Sequence, residues 1–136
     1  MDLNTIIKNI EFNPKKLFLI DGYGAIVSAY LLGVVLVSLE HYFGIPPSTL
    51  YILASLPILF AVYDFYCYRK TSDKLGTYLQ GIAIVNILYC CLSLGLAFYH
   101  LNTITIVGWI YILIEILVVI TLAILEFKVA KQIKSP

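Results

Sequence analysis

The chain has 136 residues, 61% of them hydrophobic and 12% charged, and its mean hydropathy is +0.94. That balance excludes an ordinary soluble globular domain and predicts an all-α integral membrane protein lodged in a lipid bilayer. A formal net charge of +1, with no basic cluster away from the helix flanks, leaves no footprint for nucleic acid.

The first dozen residues carry acids and amides where a cleavable signal would need an apolar core, so the first span is expected to stay in the mature protein. Leu3, Ile6, Ile7 and Ile10 recur at helical spacing opposite Lys8 and Glu11. This predicts a short helix over 3–12 lying along the inner interface. Asn13 then suits a helix cap and Pro14 a first helical residue. Crossing the hydrocarbon takes about 20 mostly apolar residues in helical form. Four stretches qualify, at 16–39, 48–68, 77–99 and 103–127. They are joined by GIPPST, TSDKLGT and HLNTIT, links so short that neighbouring spans should run antiparallel as one domain, an up-down four-helix bundle.

Basic residues concentrate in cytoplasmic loops. All nine Lys and Arg fall before span one, between spans two and three, or after span four, and the two other loops have none. Both termini are therefore expected in the cytoplasm, with a bacterial inner membrane as the expected location.

Motifs give little chemistry. No Ser-His-Asp set, H-E-x-x-H, P-loop or dinucleotide fingerprint is present, so enzymatic activity has no motif in its support. His41 and His100 fall at the outer ends of spans one and three near Glu40, but two rim histidines are a weak metal signal, and neither a metal nor another cofactor is expected. Cys67, Cys90 and Cys91 lack the spacing of a thiol-exchange pair. Cys90 and Cys91 point about 100° apart on a helix, which sends one toward the bundle and one toward lipid. The Gly-Tyr-Gly at 22–24 lacks the Thr-Val and the re-entrant loop of a potassium filter.

The informative residues are the polar ones at membrane depth, because an ionisable group there costs at least ~2.5–3.5 kcal/mol unless it finds a partner, a cavity or a shallow position. At ~1.5 Å per residue, Asp21 lies about 7 Å beyond Lys16, and Asp64 a similar distance before Arg69. Glu126 reads on this ruler as a rim charge near Lys131. Glu115 reads as a midplane residue, roughly 16 Å from the inner end of its span, level with Ser28, Pro57 and Asn86 at about 18 Å. Helical spacing puts Asp21 and Ser28 on one face, Pro57 and Asp64 on another, Asn86 with Tyr89 or Cys90 on a third, and Tyr111 with Glu115 on the fourth. Ala25, Ala29 and Gly33 form a small-residue stripe for close helix contact. Turned inward, these faces predict an inner layer of Asp21 and Asp64, with Gln80 or Tyr23, and a middle layer of Ser28, Asn86, Tyr111 and Glu115.

Two readings of Glu115 follow. It either glues the bundle by hydrogen-bonding Asn86 or a tyrosine, or couples a proton or cation to transport. The leading expectation is a small membrane protein that binds or translocates a small solute or proton, with Glu115, Asn86, Asp21, Asp64, Tyr111 and Ser28 lining its polar interior. One four-helix copy has little room for a pathway, which favours a homo-oligomer. The alternative is a non-catalytic partner or assembly subunit of a larger membrane complex, with structural acids. A lipid- or quinone-directed membrane enzyme comes third.

Overall fold

The computed structural model describes residues 15–70 and 74–134. The expected interfacial helix over 3–12, the Asn13–Pro14 start and part of the TSDKLGT turn lie outside them. Among the described residues all regular structure is helical: α1 (Lys15–Tyr30), which runs on as a π-helical segment (Leu31–Leu36), a short α2 (Glu40–Phe43), α3 (Pro47–Arg69), α4 (Leu75–Tyr99) and α5 (Ile106–Lys134). Four stretches are long and apolar enough to cross a membrane: Lys15–Leu36, Pro47–Arg69, Leu75–Tyr99 and Ile106–Ile133. This is the build of an integral membrane protein.

Except at the end of span four, the span boundaries fall within three residues of the sequence expectation, with span four starting at Ile106 rather than at residue 103. The helix of span one runs through Val37 and Ser38 and breaks at Leu39, which leaves the helical region (φ −112°, ψ 33°), and α2 begins afresh. That short helix ends on Gly44 in the left-handed conformation (φ 73°), which an L side chain resists, while the Gly44 N–H bonds the Glu40 carbonyl at 2.7 Å. The turn is held down on α5, where the Thr105 N–H donates to the Phe43 carbonyl at 3.1 Å. Span four passes residue 127 and continues as helix to Lys134. No Gly or Pro interrupts that stretch, and Lys128 and Lys131 suit the negative end of a helix dipole.

In α3, Pro46 and Pro47 set the start, where a missing N–H costs nothing, and Pro57 stands inside the helix without breaking it. Two apolar cores divide the molecule. One gathers Leu32, Leu36, Ile45, Leu50, Leu53, Tyr89, Ala97 and Ile112. The other gathers Leu17, Phe18, Cys67, Leu79, Ile82, Val129 and Ala130, so it unites the starts of α1 and α4 with the ends of α3 and α5. Near that second core, Lys70 sits over the rings of Tyr66 and Tyr78, 5.4 and 5.9 Å from their centroids.

The helices associate as two tight pairs, α1 with α3 and α4 with α5, whereas α1 and α5 keep their backbones apart. Lipid tails are as apolar as leucine, so such pairing rests on close van der Waals contact rather than on the hydrophobic effect. Gly22 shows how close: a Cβ there would stand 3.0 Å from Phe65 Cζ and 3.3 Å from Asp64 Cβ. The outer faces carry Ile26, Val27, Leu59, Val62, Leu88 and Leu117, all exposed, as a lipid-covered surface requires.

Gly22→Val should therefore overpack the α1–α3 contact and cost about 1–3 kcal/mol. Gly24→Ala, at a position with no described neighbour within 4 Å, should leave stability unchanged or slightly raised. Thermal melting of the purified variants in detergent, followed by circular dichroism, checks this. Equal melting temperatures for the two variants would remove the close-contact argument.

Candidate functional site

Each of the four spans sends one polar side chain to the middle of the molecule near the second core: Asp21 from α1, Asp64 from α3, Asn86 from α4 and Glu126 from α5. All are buried, Asp64 and Glu126 to 0% exposure and Asp21 and Asn86 to 4%. Asn86 holds the group together. Its Nδ2 donates to Asp21 Oδ1 at 2.9 Å and to Glu126 Oε1 at 3.0 Å, which uses both amide hydrogens. The Asp64 carboxyl adjoins Asp21 and Glu126. Among the described residues, Asp21 Oδ2, Glu126 Oε2 and both oxygens of Asp64 have no hydrogen-bond partner.

Toward the first core lies a second group. Glu115, 7% exposed, accepts from the Tyr89 hydroxyl at 2.7 Å on one oxygen and from the Tyr111 hydroxyl at 2.9 Å on the other. Ser28 stands beside it. A cavity of about 50 Å³ lies between the two groups, lined by Asp21 and Ser28 of α1, Asn86 and Tyr89 of α4, and Pro57 and Phe60 of α3. At ~10–15 Å³ per water it has room for about three.

The chemistry of the two groups differs. Glu115 is an acceptor twice over, and a carboxylate fills that role with no proton of its own. The inner group has three carboxyls and one amide, so its free oxygens find donors in a proton shared between neighbours, a water or a bound cation. Among the described residues, no three His, Cys, Asp or Glu side chains come together as a metal-ligating set. His41 and His100 take other partners: Thr49 Oγ1 lies 2.8 Å from His100 Nε2, and the His41 ring lies 4.1 Å from that of Tyr42.

The six sequence-predicted residues fall into these two groups, with one change of layer. Ser28, Tyr111 and Glu115 share the middle layer, and Asp21 and Asp64 the inner one. Asn86, expected beside Glu115, instead binds the inner acids. Tyr23, offered for the inner layer, is exposed and packs edge-on against Phe65, and Gln80 is half-buried on α4. Cys90 is buried and Cys91 exposed, one toward the bundle and one toward lipid.

Glu126 is the main correction: expected at the rim, it is fully enclosed. Its helix runs on to Lys134, and helical side chains lean toward the helix start, so Glu126 reaches from its backbone position deeper into the molecule. Sequence spacing carried a signal for it. Glu115 and Glu126 are eleven residues apart, close to three full turns, and hence share a face. Comparison with protein-family models, curated proteins and solved structures finds no match.

Asn86→Leu, which keeps the volume but removes both donors, should destabilise by about 1–3 kcal/mol by leaving two further buried carboxyl oxygens unserved. The same change in an Asp21→Leu background should cost clearly less, since one of those oxygens is gone. Thermal melts of the four proteins in this cycle measure the coupling. Strict additivity would mean that the Asn86–Asp21 bond contributes nothing.

Proposed function

We propose that the chain is an up-down four-helix protein of a bacterial inner membrane, with both termini cytoplasmic, that takes up protons in its interior and uses them to bind and move a small solute. The orientation is supported by the nine basic residues, all on the side given to the cytoplasm. The observation that carries the functional reading is the set of four carboxyl oxygens of Asp21, Asp64 and Glu126, buried between the spans with no N–H or O–H donor among the described residues, of which Asp21 also lines a cavity shared with Ser28 and Tyr89.

Magnitudes favour this over acids that merely glue the helices. Three ionisable residues at membrane depth cost together about 8–10 kcal/mol by insertion scales. A side-chain hydrogen bond between membrane helices returns on average ~0.6 and at most ~1.7 kcal/mol. The two bonds of Asn86 cannot offset that cost, and an apolar core of the same volume would hold the helices better. Residues kept at such a cost are kept for what they bind. Asp64 is the sharpest case, because no described N–H or O–H donor serves either of its oxygens and the polar group it meets is another acid, Asp21.

The test is proton flux into liposomes of zwitterionic lipid containing the purified protein and an entrapped pH dye, driven by a potassium diffusion potential. Asp64→Asn should cut the flux by about tenfold or more, and infrared spectra should show the carbonyl band of a protonated carboxyl that is lost in the same variant. If Asp64→Asn and Glu115→Gln both retain full flux and lose only thermal stability, the acids are structural and the partner-subunit reading replaces this one.

A further inference from the structure

Between α1 and α5, where the backbones stay apart, a groove of about 340 Å³ runs along the surface. That volume lies at the low end of the ~300–1,000 Å³ that enclose small ligands. Val27 and Leu31 form one wall, Ile114 and Val118 the other, and Glu115 and Tyr111 reach its floor. Val27, Ile114 and Val118 are more than half exposed, so the groove opens onto the face that hydrocarbon covers. Among the residues lining it, Glu115 is the one with a formal charge.

Resting on the proton-coupled reading above, we infer that this groove is the solute site and that its ligand is a lipophilic ammonium ion, entering sideways from the bilayer with its cationic head at Glu115 and its apolar body between α1 and α5. Charge complementarity selects the class. An anion would meet a carboxyl in a medium of low dielectric, and the cost of like charges there is high. A neutral polar head would gain one ordinary hydrogen bond on an oxygen that already accepts from a tyrosine. A cation gains a charge-assisted contact, roughly twice as strong, on the lone pairs that Tyr89 and Tyr111 leave free. The groove also shares Gly24, Ser28, Val118 and Val119 with the inner cavity, so a charge arriving at Glu115 stands one helix wall from Asp21 and Asn86. Cation and proton then compete through the same polar interior, which is how a carrier exchanges one for the other.

The experiment uses the full chain in phosphatidylcholine nanodiscs, whose zwitterionic lipid does not concentrate cations, and tritiated benzyltributylammonium as the probe. Saturable binding is expected. Glu115→Gln should weaken it about tenfold or more, the loss of one charge-assisted contact. Val118→Trp, which plugs the groove from an exposed position and leaves Glu115 in place, should weaken it as much. Leu59→Ala, on an exposed face of α3 that lines neither the groove nor the cavity, should bind like the parent. The uncharged analogue with carbon in place of nitrogen should compete at least about tenfold less well. Unchanged binding in both Glu115→Gln and Val118→Trp, or equal competition by the uncharged analogue, overturns the inference and leaves a groove for acyl chains. Proton flux without saturable probe binding sinks the ammonium site alone; probe binding without proton flux sinks the proton reading and leaves the site standing.

Discussion

The amide of Asn86 is the point on which the interior depends. The molecule is two helix pairs, α1 with α3 and α4 with α5, that touch each other much less than they touch within a pair. Asn86 stands on α4 and gives one N–H to Asp21 of α1, in the other pair, and one to Glu126 of α5, in its own. In hydrocarbon no solvent drives the pairs together, so close packing and bonds that cross between them, such as this one, hold them in register. The Tyr89 and Tyr111 bonds to Glu115 stay within the α4–α5 pair, and Ser28 of α1 meets the same carboxyl from across the seam.

From that arrangement come both the cavity and the groove. Both border on Gly24, which has no side chain to fill the space, and the cavity also borders on Pro57, which cannot donate to the Leu53 carbonyl. Gly22, two residues earlier, does the opposite. It brings α1 so near to α3 that Asp64 lies under the α1 backbone, which puts its carboxyl against that of Asp21. The segment Asp-Gly-Tyr-Gly at 21–24 thus divides its labour: an acid for the inner group, a glycine for contact, an exposed tyrosine and a glycine for space.

Much of this was legible beforehand. Hydropathy located four spans because about 20 apolar residues have few other homes, and spacing found the inward faces because helical period is a local property. Depth was not legible. Counting residues from the nearest lysine treats each flank as the membrane edge, which placed Asn86 a layer too high and Glu126 at the surface. Helix ends are set by what stops the helix, and after Phe127 nothing does before Lys134. The lean of side chains toward the helix start then moves a glutamate by most of its own length. Angular position, which the eleven-residue interval between Glu115 and Glu126 encoded, was the better guide.

The nature of the central donor bears on what the site can do. Had α4 carried an arginine at position 86, it would have met the acids with a permanent charge and five donors, and the group would be a fixed ion network. An asparagine supplies two donors and no charge. The balance of charge among Asp21, Asp64 and Glu126 is then left to protons or cations, whereas Glu115 has a tyrosine donor on each oxygen and lone pairs to spare. In the function proposed above, an acceptor at the groove, an adjustable group beneath it and a cavity wide enough for water between them are the parts that an interior exchanging charges requires.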